Sequence, residues 1–123
     1  MNSRMFGFAF VIMLCSQVIF AGEDAIPTMA TIMLHLNHYP SASEKDMLRK
    51  IVNADSATKN EHVLAQAMIN LEHYASDADK PKLKKIMEDK SAPANERDLA
   101  RIIYNIAHTP TAADKQTLQA MMK

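Results

Sequence analysis

The sequence predicts an all-α protein, built from three tandem helical hairpins with a period of 35 residues that form a short solenoid or a six-helix bundle, preceded by a secretory signal peptide. The chain matches itself when it is shifted by 35 residues, at 14 of 33 positions between 29–61 and 64–96 and at 10 of 28 between 61–88 and 96–123. Apolar residues recur at offsets 0, 3, 4 and 7, which is the spacing of an amphipathic helix. No segment shows the alternation of apolar and polar residues that is typical of a half-buried strand.

The N-terminal segment has the pattern of a secretory signal. Arg4 supplies a cation, residues 5–20 are almost wholly apolar, and the small Ala21 is followed by polar residues. We predict a signal peptide over 1–21, a single helical repeat domain over 22–123, and a periplasmic or secreted protein. An uncleaved anchor is the alternative, although the apolar run is shorter than the ~20 residues that a membrane span needs.

The first helix of each copy is defined by its apolar stripe. In the first copy this stripe is Met29, Ile32, Met33 and Leu36. The same phases hold Leu64, Ala67, Met68 and Leu71 in the second copy, and Leu99, Ile102, Ile103 and Ile106 in the third. The second helices have shorter stripes: Leu48, Ile51 and Val52, then Leu83, Ile86 and Met87, then Leu118, Met121 and Met122. The predicted helices lie near 25–38, 43–53, 59–74, 78–89, 94–107 and 112–122.

The turns repeat as well as the helices. A hydroxyl residue stands three positions before a carboxylate at Ser41 with Glu44, Ser76 with Asp79, and Thr111 with Asp114, and a further such pair is Thr58 with Glu61. This spacing is typical of a capping box, so we expect it to start helices. One hairpin cannot bury its own stripe, whereas three hairpins can share one core.

Part of the repeat resembles a known class of helical repeat. The residues that carry the likeness are Leu83, Ile86, Met87 and Asp89, followed by Leu99, Ala100 and Ile103. In this order they resemble the helix-turn-helix pattern of HEAT-type repeats, and the likeness covers most of residues 22–123. The resemblance implies a scaffold that binds other proteins.

The composition excludes several classes of function. The 14 basic and 14 acidic residues cancel, which argues against nucleic-acid binding. After Ala21 the chain has no Cys and only Gly22 as glycine. Thiol chemistry, phosphate-cradling loops and nucleophile elbows are therefore excluded from this part of the sequence.

Histidines are the most reactive residues that the pattern singles out. His38, His73 and His108 share one repeat phase near the end of each first helix, where an imidazole can contact unsatisfied carbonyl groups. Stacked helices could instead bring these neighbouring imidazoles close enough to share a metal ion. His35 and His38, three residues apart, lie on one helical face, and His73 would add a third nitrogen ligand.

Polar residues next to the apolar stripes predict a patch along the first helices. Its nine members occupy three repeat phases, and we name this set the candidate binding face: Thr31, His35, His38, Gln66, Asn70, His73, Arg101, Asn105 and His108. The alternative is an ordinary solvated surface.

From these patterns we predict an exported protein-binding module that is not an enzyme and has no catalytic residue, no cofactor and no assigned metal ligand. The partner is expected to be another protein, with no nucleic acid and no stable membrane insertion once the signal is removed. One version is an envelope inhibitor or immunity-type protein. The alternative is a histidine-based carrier of a metal or small ligand, using His35, His38 and His73.

Overall fold

A computed structural model describes residues 24–123, so the predicted signal peptide lies outside the described residues. The helices of this part of the chain are α1 Ala25–Leu34, α2 Ala42–Asn53, α3 Lys59–Ile69, α4 Lys80–Glu88, α5 Ala94–Asn105 and α6 Ala112–Met121. Extended pairing between residues 24 and 123 is limited to single-residue bridges beside His38, His73 and His108. The predicted all-α class is confirmed.

Capping boxes start three of the helices as the sequence predicts. The Ser41 hydroxyl accepts from the backbone amide of Glu44 at 3.2 Å, and the Glu44 carboxylate accepts from the amide of Ser41 at 2.8 Å. The same reciprocal pair is formed by Thr58 with Glu61 and by Thr111 with Asp114. At the fourth site the Asp79 carboxylate accepts from the Ser76 hydroxyl at 2.7 Å instead of from its amide, and α4 begins only after Asp79.

The six helices close into a ring. The most extensive contacts join α2 to α3, α4 to α5, and α6 to α1, while α1, α3 and α5 also contact one another. Each second helix therefore packs mainly on the first helix of the next copy, and the last returns to the first. Of the two architectures that the sequence allows, the structure has the closed six-helix bundle, because α6 covers the face of α1 that an open solenoid would leave exposed.

The repeated apolar stripes form one shared core. Equivalent leucines of the second helices, Leu48, Leu83 and Leu118, are each 0% exposed. Met29 and Met33 are equally buried, so they fill the core and do not face a solvent-accessible site. The same aliphatic environment at equivalent positions agrees with three copies of one structural unit.

The first helices are shorter than predicted. They were expected to reach residues 38, 74 and 107, but they end at Leu34, Ile69 and Asn105. Leu36, Leu71 and Ile106 continue the apolar stripe and are buried, yet their amides bond to the third preceding carbonyl, at 3.2, 3.2 and 3.4 Å. This tighter turn ends each helix and leads the chain into the segment that carries the repeated histidine.

A buried carboxylate links the second and third copies. Pro93 precedes α5 and has no amide hydrogen, so Glu96 cannot form the reciprocal capping bond. Its carboxylate instead accepts from the Thr58 hydroxyl at 2.9 Å and from the Asn60 side-chain amide at 2.8 Å. Glu96 is only 3% exposed, and these two bonds satisfy it.

Among the helices of residues 24–123, none has both the length and the apolar character needed to cross a bilayer.

Candidate metal centre

The three repeated histidines lie in short loops fixed at both ends by buried residues. Two residues before the histidine lies the buried residue of the closing turn, Leu36, Leu71 or Ile106. Two residues after it lies Pro40, Ala75 or Pro110, all buried. The histidines themselves have positive φ angles of 78° at His38, 73° at His73 and 67° at His108. Because a side chain with a Cβ is disfavoured in this region, each loop is held in a strained conformation by its surroundings.

The loops meet through a closed triangle of backbone hydrogen bonds. The amide of His38 donates to the carbonyl of His108, that of His73 to His38, and that of His108 to His73, each at 2.8 Å. The amide of Thr109 also donates to the carbonyl of Ala107 at 2.7 Å, across His108. The triangle brings together residues from all three copies, which helix packing alone does not do at this point.

The side chains above this triangle form a compact cluster, which we call the His triad: His38, His73 and His108. Their ring centroids are 4.8, 4.9 and 4.9 Å apart, and one nitrogen from each ring lies within 4.8 Å of the others. The Nδ1 atoms of His73 and His108 are 3.1 Å apart. His38 is half-buried and His108 is exposed, so the cluster is accessible to solvent.

Neighbouring polar groups orient two of the three rings. Nδ1 of His38 lies 3.0 Å from Oδ1 of Asn37, which can only accept, so this nitrogen donates and Nε2 carries the lone pair. The Tyr74 hydroxyl lies 3.4 Å from Nε2 of His108, and Nδ1 of the same ring faces His73. Such outer contacts fix the orientation of imidazoles that bind metals.

Electrostatics keeps His38 neutral to a lower pH than usual. Partial desolvation and the nearby imidazoles of His73 and His108 lower the pKa of His38 from its ordinary value. A neutral imidazole is the form that binds a metal, since the lone pair must be free. The lowered pKa therefore keeps His38 in its metal-binding form over a wider pH range.

The spacing of the His triad suits one tetrahedral metal ion. Zinc–nitrogen bonds of about 2.0–2.1 Å imply ligand nitrogens about 3.3 Å apart. The His73–His108 separation of 3.1 Å is close to that value, and the widest separation in the group, 4.8 Å, requires ring rotation that a solvent-accessible side chain can make. The residues present fit a three-nitrogen metal site.

The candidate binding face is divided by the structure. All nine of its side chains reach solvent, but the gathered metal-ligand group contains the three histidines of one repeat phase. The other contacts stay within single copies: Thr31 with Pro27, His35 with Thr31, Gln66 with Asn70, Asn70 with Asp79, and Arg101 with Asp98 and Asp114. Whether the whole face binds a partner stays a prediction.

The ligand set proposed from helical spacing differs from the one that the structure brings together. Nδ1 of His35 lies 3.1 Å from the carbonyl oxygen of Thr31 on its own helix, and His35 is not part of the gathered group. His62 has a structural contact, with Nε2 2.7 Å from the carbonyl of Ala54. Spacing along one helix pointed to His35 with His38, whereas the repeat phase pointed to the triad.

Sequence reasoning missed the groups around the triad. Tyr39 and Tyr74 follow His38 and His73 directly and are 56% and 54% exposed. The equivalent position in the third copy is Thr109. The repeated His-Tyr pair was a sequence signal for this surface, but its position beside one cluster depends on closure of the ring.

Comparison of the chain with protein-family models, with curated proteins and with solved structures gives no significant match.

Proposed function

We propose that this protein binds one transition-metal ion through His38, His73 and His108. The observation that carries the proposal is the convergence of three imidazoles, one from each copy, with nitrogen atoms within 4.8 Å of one another. Imidazole ligands suit zinc, copper, nickel and iron, and the thioether sulfurs of Met29 and Met33 are buried in the core. Zinc is the reference ion for the test.

The choice of residue at the strained position supports a side-chain role. Glycine adopts a positive φ at lower cost than histidine, yet all three copies have histidine there. Flanking positions differ between copies, with Asn37, Glu72 and Ala107 on one side. Backbone geometry alone therefore does not explain the repeated imidazole, whereas a shared ligand does.

Titration calorimetry of the purified protein with Zn²⁺ tests the proposal. We expect one ion per chain and a loss of affinity of at least roughly a hundredfold in His73→Asn, which removes a ligand while tolerating the positive φ. His35→Asn and His62→Asn are the matched controls and are expected to bind like the parent. Binding far below one ion per chain, or parent-like affinity in His73→Asn, would sink the proposal.

A protein partner is a second candidate function, favoured by the exposed Tyr39 and Tyr74 beside the triad. Tyrosines are enriched at binding hot spots, and together with the N-terminal signal pattern they support an exported protein that binds a protein partner. Chemical cross-linking in the envelope fraction is expected to capture a partner with the parent and to lose it in a Tyr39→Ala/Tyr74→Ala double variant. Equal capture by both proteins would remove this candidate.

A further inference from the structure

The geometry of the His triad points to an open coordination position. Within residues 24–123 the gathered group offers three ligand residues, whereas closed structural zinc sites have four. Sites with three protein ligands bind a water molecule or another small ligand in the fourth position. Because the triad is accessible to solvent, this position can exchange.

We infer that the loaded triad binds a small carboxylate as its fourth ligand, at the side bordered by Tyr39. This inference rests on the proposed function, since the metal ion supplies the bond to the carboxylate. A cleft of about 210 Å³ adjoins the triad and is lined by Tyr39, Lys45, Glu72 and His73. It has room for a carboxylate with a few heavy atoms.

The charges around the cleft suit an anion. Three neutral imidazoles leave the two positive charges of the ion uncompensated, which favours an anionic fourth ligand. Tyr39 and Lys45 add a hydroxyl and an ammonium donor to the same cleft, where they can contact the second carboxylate oxygen. The negative charge of Glu72 in the same lining offsets the positive charge of Lys45. The bond to the metal therefore provides the main attraction for the carboxylate, and highly charged anions are disfavoured.

The residues that follow the three histidines limit the direction from which a carboxylate can approach the His triad. Tyr39 and Tyr74 occupy equivalent positions in the first two copies, and the smaller Thr109 takes this position in the third. Tyr74 contacts His108, with ring centroids 5.3 Å apart and its hydroxyl 3.4 Å from Nε2. Tyr39 instead lines the cleft beside His73, so the open cleft and its donors lie on the Tyr39 side.

Visible absorption of the Co²⁺-loaded protein tests this inference, because the positions and intensities of the cobalt bands change with the ligands and the coordination geometry of the ion. Acetate is added at constant ionic strength set with perchlorate. We expect a saturable change in the cobalt bands, and roughly threefold weaker acetate binding in Lys45→Gln with unchanged affinity for Co²⁺. The control is Lys90→Gln, an exposed lysine in the loop between α4 and α5, which is expected to behave like the parent.

The outcomes separate this inference from the proposed function. Tight Co²⁺ binding with bands that acetate does not change overturns the carboxylate site and leaves metal binding intact. Failure to bind Co²⁺ and Zn²⁺ overturns the proposed function itself. Cobalt bands that lose their intensity as acetate extracts the ion, or a metal-dependent dimer in sedimentation experiments that is insensitive to acetate, also overturn the inference.

Discussion

The positive φ angles of the His triad predict an unusual ranking of alanine and glycine. In helices, alanine is more stabilising than glycine, but a residue with a Cβ at positive φ costs about 1–2 kcal/mol relative to glycine. We compare two triple variants, with either glycine or alanine at His38, His73 and His108. Both lack all three imidazoles, so metal binding and ring contacts are absent from both, and their difference reports the backbone.

The expected difference follows from two opposing effects. Glycine relieves the strain at each position, whereas its greater freedom in the unfolded chain offsets roughly 0.4–1 kcal/mol of that gain. A net gain of about 0.5–1 kcal/mol at each of the three positions makes the glycine variant more stable by about 2 kcal/mol. In a domain of this size, the midpoint of thermal unfolding is then about 10 °C higher for the glycine variant. Calorimetry and urea unfolding with chelator present measure both quantities.

The control pair is Gln116→Ala and Gln116→Gly, at an exposed position within α6. Here the glycine variant is expected to be less stable than the alanine variant by about 1 kcal/mol, because the position is helical. If the triple alanine variant equals or exceeds the triple glycine variant in stability, the three loops do not hold positive φ angles in solution. This result would refute the backbone strain from which we argue that histidine occupies these positions because of its imidazole.

Three further predictions concern pH, the buried carboxylate and closure of the ring. Desolvation, and then its two imidazole neighbours, lower the pKa of His38, so below about pH 6.5 the folded state binds fewer protons than the unfolded state. The free energy of unfolding is therefore fully present above about pH 6.5 and falls as the pH drops through the lower folded pKa. Urea unfolding of the metal-free protein is expected to show a smaller fall of this free energy in His38→Asn. Glu96→Ala removes the buried acceptor of two hydrogen bonds to a carboxylate and is expected to lower the free energy of unfolding by about 1–3 kcal/mol in urea titrations, so an unchanged midpoint would contradict the buried link. Leu48→Ala, Leu83→Ala and Leu118→Ala are each expected to cost about 2–5 kcal/mol in equilibrium unfolding, and a much smaller cost for Leu118 would show that α6 frays as it would in an open solenoid.

The fold was predictable to the extent that local patterns determine it. The 35-residue repeat, the six helices and three of the capping boxes all depend on residues close in sequence, and the structure confirms them. The helix ends near His38, His73 and His108 were placed too late, because Leu36 and its equivalents extend the apolar stripe although they already lie in a turn. A buried turn residue and a buried helical residue give the same hydrophobic pattern.

Ring closure could not be predicted from periodicity. A repeat implies that successive interfaces are alike, but the rotation between copies decides whether α6 meets α1, and that rotation depends on packing across the whole core. The triad was foreseeable only as a shared phase of three histidines. Their convergence requires both the closed ring and the positive φ angles, and a histidine, unlike a glycine, does not by itself predict such a conformation.

The backbone triangle also determines how this end of the molecule can open. Each of the three histidines both donates and accepts one of its bonds, so lifting any single loop breaks two of the three bonds at once. Opening one loop alone therefore costs most of the free energy of opening all three. We expect the three amides to open together, although they lie 35 and 70 residues apart along the chain. In hydrogen exchange we expect the three amides to exchange at one common rate, because their bonds can form only after all three copies have docked.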